Sequence, residues 1–450
     1  MSTPRQISLW QHALRGIIWT MGLRIVGALS VFALVAILTR LLTAETVGRY
    51  FVAISVVGFL SLAVQLGLTG PAVRDVSRAL ADGREDKAQG IARAILRLAA
   101  FAGVSLVSVA LLLSMAIPHF LTTHLGADAT LVIPIIALTA ALLGIQAIVG
   151  EIFRGYHRIG HANLLGSILA GVVSLVGVFA TSLTSIPISL VTVIAISSAA
   201  AALSLTVGVV LLLHGPSAPA PSSAILLCEG HPFWWNSLAT FVFYYADLWV
   251  AGMVLPFDQV ALYGAANRVV QMLVLPIDAA EASLPPLISG LHATNEHASL
   301  QILLRRTAQI QTVVVTIGSV VLIVFGSPLL GSLFGAHYEN GQVILALLSL
   351  GWLVRASMGA YGHTLMMTTH AHFMMRLTLA WSLLCVPIEW IAGTWYGATG
   401  IAAAAALLLA SFSLVGAWAA RLKLGLNVTA LPSRKQIITA QPMGRPNSST

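Results

Sequence analysis

Five charged residues, Arg24, Asp247, Arg268, Arg355 and Glu389, sit inside long apolar runs of this chain. A charge at the centre of a bilayer costs at least about 2.5 kcal/mol on insertion scales, so each is expected to face a polar cavity or a partner rather than lipid. Three of the five are arginines. A guanidinium stays charged at any working pH and forks onto two oxygens at once, which suits a phosphate or a diphosphate. The two carboxylates, Asp247 and Glu389, suit another task, the uptake of a coupling proton or ion. Asp247 and Arg268 also have a purely structural reading. Asp247 lies eight residues before Leu255 and Arg268 eight after Val260, so both stand about 12 Å from the same turn and are spaced to pair across a hairpin. Arg24 and Arg355 have no counter-ion that the sequence reveals. Asp278 and Glu281, near the end of a span, read as interfacial.

No other constellation competes. The chain has no H-E-x-x-H, P-loop, G-x-S-x-G or glycine-rich dinucleotide turn, so neither an enzyme nor an ATP-driven pump is expected. Cys228 and Cys385 are too few for a disulfide framework. The motif His370-Ala-His372 reads as a solvated turn, and no metal or cofactor is expected.

The elements that must hold these charges are membrane spans. Of 450 residues, 58% are hydrophobic and 8% charged, against roughly 25% charged in a soluble domain. At about 20 apolar residues per spanning helix, the sequence predicts an all-α polytopic membrane protein of about twelve helices. They run near 16–38, 47–68, 95–117, 131–149, 164–183 and 188–212, then near 233–255, 260–284, 308–326, 343–366, 377–396 and 401–422. Lys and Arg fall in alternate loops and the tails, which places both termini in the cytoplasm. Arg40 and Arg49, in the first outer loop, are the exceptions. The net charge of +8 follows from this pattern and gives no reason to expect nucleic acid. The loop from Arg74 to Gly90 mixes both signs and reads as a solvated surface helix.

One stretch organises the rest. Leu42, Val47, Tyr50 and Ala53 recur 213 residues later as Leu255, Val260, Tyr263 and Ala266, and the register continues through Val56, Val57, Leu60 and Leu62 against Val269, Val270, Leu273 and Leu275. We read a duplicated unit. The H-G-P-S-A-P-A-P-S-S run from His214 cannot hold a stable helix. The expected organisation is therefore an N-terminal lobe (1–213), a cytoplasmic linker (214–231), a C-terminal lobe (232–425) and a disordered cytoplasmic tail (426–450). Six helices per lobe, each lobe starting inside, make the repeat parallel, with a pseudo-two-fold axis along the membrane normal.

Four segments carry a family resemblance: L-T-R-L-L-T-A-E-T-V-G-R-Y from Leu38, Q-L-G-L-T-G-P-A-V-R from Gln65, F-R-G-Y-H-R-I-G from Phe153 and A-D-L-W-V-A-G from Ala246. From about Leu9 to Gly425 the chain resembles the O-antigen-type flippases of lipid-linked oligosaccharides, within the superfamily that also holds multidrug extruders and the peptidoglycan-precursor flippase. Where that family has Gly-Pro in the first turn, this chain has Thr43 and Ala44. The resemblance implies a flippase of the bacterial inner membrane that moves undecaprenyl-diphosphate-linked oligosaccharide units outward for cell-surface or exopolysaccharide synthesis. A polysaccharide polymerase and a chain-length regulator would be its partners beside substrate and bilayer. It also implies that Arg24 and Arg268, and more loosely Arg49, join Arg355 in a cationic cavity. A cation-coupled multidrug or other small-molecule extruder of the same fold stays open, as does a polysaccharide polymerase or membrane glycosyltransferase, although the outer loops are short for the latter.

Overall fold

A computed structural model describes residues 22, 25–119, 129–213, 218, 222–281, 284–294, 296–368 and 370–430. Among them there is helix and no strand. In order, the helices are α1 (Ile25–Leu41), α2 (Ala44–Gln65), α3 (Thr69–Ala81), α4 (Glu85–Ala116), α5 (Ala129–Gly155), α6 (Ile159–Ser182) and α7 (Leu190–Leu212). They continue with α8 (Ser223–Val254), α9 (Phe257–Glu281), α10 (Leu284–Ala293), α11 (His297–Phe334), α12 (Gln342–Ser357), α13 (Tyr361–Met366) and α14 (Ala371–Leu424).

Nine of the described helices are long and apolar enough to cross a membrane. The last, α14, counts twice. Its 54 residues would reach about 80 Å if straight, far beyond a hydrocarbon core of about 30 Å. The helix is broken at Gly397 (φ 63, ψ −148), a left-handed position that glycine adopts without steric cost. Trp381 Nε1 donates to Ser411 Oγ at 3.1 Å, joining residues on either side of the break, so the chain doubles back there. With the shorter apolar helix α1 added, the described apolar segments number eleven, and the predicted class, an all-α polytopic membrane protein, is observed.

The duplication is visible in the coordinates. Helix α1 ends at Leu41 and α8 at Val254, while α2 begins at Ala44 and α9 at Phe257, so both boundaries repeat at the sequence interval. Burial repeats too: Val47, Tyr50 and Ala53 are buried, as are Val260, Tyr263 and Ala266, while Glu45 and Asp258 are exposed. The two copies also touch. A Cβ on Gly48 would collide with the Phe257 carbonyl, and one on Gly264 with the ring of Phe51. Phe51 and Gly264 are equivalent positions, and contact between equivalents is what a two-fold relation produces at its axis.

The chain forms two compact units, Met1–Ala265 with Leu330–Asn340, and Ala266–Leu329 with Gly341–Thr450. In the first, α3 is the expected surface helix. Pro71, Ala72, Val76 and Ala79 point inward while Arg74 and Arg78 stay exposed, the three-to-four spacing of an amphipathic helix. It ends at the Asp82–Gly83 turn, and the residues beyond belong to the span α4 rather than to a loop. Leu68, Val76, Ile91, Ile95, Ile152 and Phe153 close a core over this end. The helix α8 begins at Ser223, ahead of the expected 233, and its Glu229 pairs with Arg74.

In the second unit, the segment after Gly425 does not leave as a free tail. Asn427 N donates to Gln301 Oε1 at 2.7 Å, Gln301 Nε2 donates back to the Asn427 carbonyl, and Ala430 N donates to the Ser357 carbonyl at 3.0 Å. Val428 is fully buried. The expected disordered tail is thus an ordered strap over 426–430; residues 431–450 lie outside the described ones.

Candidate functional site

The charges singled out in the sequence fall into separate surroundings. In the first unit, Asp247 is 7% exposed on α8. The turn at Leu255 brings it against Tyr263 of α9, whose hydroxyl donates to Oδ2 at 2.6 Å, while the Leu248 N–H donates to Oδ1 at 2.7 Å. Short bonds onto a carboxylate are the strong ones. Tyr263 is the repeated tyrosine of the duplicated turn, which the sequence marked as a repeat position without marking it as the partner of Asp247. Arg49 stands near the start of the span α2: it pairs with Glu45 at 2.6 Å, one turn away, both largely exposed, and its guanidinium lies 5.4 Å from the Phe257 ring centroid.

In the second unit, Arg268 is half-buried in α9 and donates from Nη1 to Gln271 Oε1 at 2.8 Å, one turn on. Each of the two residues that the sequence spaced for a cross-hairpin pair has a partner within its own unit. Physically, Tyr263 and the Leu248 N–H occupy the carboxylate, and Gln271 takes the guanidinium. Arg24 lies outside the described residues. Glu389 is 2% exposed, beyond Pro387 on α14.

Arg355 does have a counter-ion, Glu281, which lies in the last turn of α9 and is buried there. The two side chains are 10% and 7% exposed and meet at 3.1 Å, with both carboxylate oxygens accepting from Nη2. Nη1 donates to the Gly359 carbonyl at 3.0 Å, and the guanidinium stacks 4.9 Å from the Tyr361 ring centroid. His363 Nε2 stands 3.5 Å from Glu281 and Gln311 Nε2 donates to it at 3.5 Å. Four helices, α9, α11, α12 and α13, thus converge on one buried carboxylate. The clue available in the sequence was parity: α9 and α12 are alternate spans, so Glu281 and Arg355, each in a last turn, end at the same face. The ordered strap secures this corner, since Val428 lies against Gly359 (φ +67) and Ala430 holds Ser357. Among the described residues no group of three metal-ligating side chains is found.

The chain was compared with known proteins. The family model described as "Polysaccharide biosynthesis protein" matches residues 13–292. No curated protein matches the chain by sequence. Its structure is similar to that of a multidrug resistance MATE family transporter of the MOP superfamily in the inward-facing conformation (TM-score 0.67, 16% identity, 91% of this chain and 94% of that one). It is similar also to the lipid II flippase MurJ in an inward closed conformation (0.67, 13%, 91% and 87%). A third likeness is to a MOP superfamily transporter from Pyrococcus furiosus (0.61, 13%, 91% and 98%). At these identities the likeness is one of fold.

Proposed function

From the premise that this chain belongs to the polysaccharide biosynthesis protein family, we propose that it is a flippase carrying undecaprenyl-diphosphate-linked oligosaccharide units outward across the bacterial inner membrane by alternating access. Its activity is transport rather than catalysis, with no cofactor, and its product passes to a polysaccharide polymerase and chain-length regulator. The observation that carries the reading is Arg268. It is a half-buried guanidinium within a span whose hydrogen bond goes to a neutral amide, so its charge is left for an anion of the substrate, and a diphosphate matches its fork. Arg24 is the proposed second arm. Arg355 supports the site differently: Glu281 neutralises it, so its role in diphosphate binding, if retained, requires that pair to open. Arg49 contributes through its contact with Phe257 at the turn. Asp247 and Glu389, the buried carboxylates of α8 and α14, are the proposed coupling groups, and differential affinity of substrate and ion for the two facing states supplies the bias.

The test is the sidedness of lipid-linked oligosaccharide in cells. Deletion should trap it on the cytoplasmic face, wild type should clear it, Arg268→Ala should not, and Arg268→Lys should do so only partly. The likeness to MATE transporters favours a second reading, a cation-coupled small-molecule extruder. Unchanged lipid-linked sugar together with altered drug tolerance in the deletion strain would establish that reading and end the first.

A further inference from the structure

Arg40 and Arg49 break the charge rule that the rest of the loops obey. Arg49 is held by Glu45 and Phe257, as described. Arg40, exposed at the end of α1, reaches 292 and 293 residues along the chain. Its Nε donates to the Leu333 carbonyl at 3.4 Å and its Nη2 to the Ser332 carbonyl. Both carbonyls belong to the last turn of α11, where the helix dipole favours a cation. Around this clasp the segment is well packed. Leu330 is fully buried, Phe334 is 1% and Tyr338 3% exposed, and the Phe334 ring lies 5.6 Å from Phe32 of α1 and 5.9 Å from Tyr338. Burial pushes the Tyr338 phenol up to about 12. The segment is also closed on itself: Gly335 turns at φ +109, its N–H donates to the Gly331 carbonyl at 2.9 Å, and Glu339 lies across Gly331.

Leu330–Asn340 therefore belongs to the first compact unit although the residues on both sides of it, through Leu329 and from Gly341, belong to the second. We propose that Leu330–Asn340 is a latch on the outer face, with Arg40 as its clasp, that must detach before the protein opens outward. The outer arginine is retained against the charge rule because the carbonyls it caps lie on that face. The inference rests on the alternating-access reading above, but it concerns the conformational step and holds for any cargo.

The experiment uses the full chain in spheroplasts. Leu330→Cys is labelled from outside with a membrane-impermeant maleimide and quantified by mass spectrometry, with exposed Cys228 at the opposite end as the control for sidedness. With Arg40 present, Leu330→Cys should react slowly. Arg40→Ala removes two hydrogen bonds from a partly solvated guanidinium and should raise the labelling rate about fivefold. Arg40→Gln, which keeps a donor, should raise it less, and it serves as the test if Arg40→Ala fails to reach the membrane. Equal rates with and without Arg40, or labelling at the rate of an unhindered thiol in its presence, overturn the latch. Because labelling needs no substrate, a faster rate in Arg40→Ala together with unchanged lipid-linked sugar and altered drug tolerance in the deletion strain would refute the flippase reading and leave the latch standing.

Discussion

Glu281→Gln should strand a charge. Arg355 would keep its guanidinium among side chains that leave it 10% exposed, with a neutral amide where the carboxylate stood. At 3.1 Å and an effective dielectric near 20, the attraction lost is about 5 kcal/mol. Desolvation of both ions offsets much of that in the intact pair, so the pair's net worth is small, but removing one partner leaves the other's desolvation uncompensated and costs about 3–5 kcal/mol. His363 cannot substitute, since it carries either no charge or the same sign as Arg355. The double variant Glu281→Gln with Arg355→Met removes both charges at similar volume and should recover most of the loss. The assay is reversible unfolding in mixed micelles followed by circular dichroism, arranged as a double-mutant cycle. If Glu281→Gln costs less than about 1 kcal/mol, or if the double variant costs the sum of the two single ones, the pair is not the buried, mutually dependent unit described above.

Gly48→Ala should cost about 1–3 kcal/mol, because the added methyl meets the backbone carbonyl of Phe257, which cannot rotate aside; the same unfolding assay reads it, and an unchanged midpoint would show that the two copies of the turn do not press on each other. Gly397→Ala places a Cβ at φ 63 and should cost about 1–2 kcal/mol, with protease susceptibility at the α14 break as a second readout. Tyr263→Phe removes the hydroxyl that donates to Asp247. It should alter the pH dependence of transport in proteoliposomes while Tyr50→Phe, at the equivalent position, leaves it alone; identical profiles for the two would remove Asp247 from coupling.

The fold was legible because its causes are local. Apolar runs of spanning length and the break at Gly397 need no knowledge of which helix packs where. The duplicated turn was legible for the same reason, and the structure repeats its helix boundaries residue for residue. The polar partners were not local. Glu281 and Arg355 are 74 residues apart, and nothing in either segment names the other; Glu281 lies at a helix end, as its place in the sequence implies, but that α11, α12 and α13 cover it there is not a local property. Asp247 and Arg268 were matched by distance along the chain, but a tyrosine hydroxyl and a backbone N–H reach Asp247 first. The strap after Gly425 escaped notice because five residues are too few for any periodic signal, although Leu426 and Val428 supply the buried side chains that fix it.

The register of the duplication separates packing from chemistry. Counting 213 residues between copies, Tyr50 matches Tyr263 and Val47 matches Val260, but Asp247 matches Leu34, Arg268 matches Ser55, and Arg24 matches Ser237. Each copy thus carries one arginine where the other has serine. The exchange is not free at Ser55. Its side chain is 3% exposed and its hydroxyl donates to the Val52 carbonyl at 2.7 Å, whereas Arg268 is half-buried with space for a guanidinium. Moving the charge by Arg268→Ser with Ser55→Arg keeps the total charge and should abolish export. Ser55→Arg alone should cost several kcal/mol, since it buries an unpaired cation in a filled site, while Arg268→Ser alone should leave stability within about 1 kcal/mol and still stop export. If the swapped protein exports lipid-linked sugar at the wild-type rate, the substrate responds to net positive charge and not to a guanidinium fixed at position 268. The proposed diphosphate contact would then be wrong even with the family, the fold and the direction of transport unchanged.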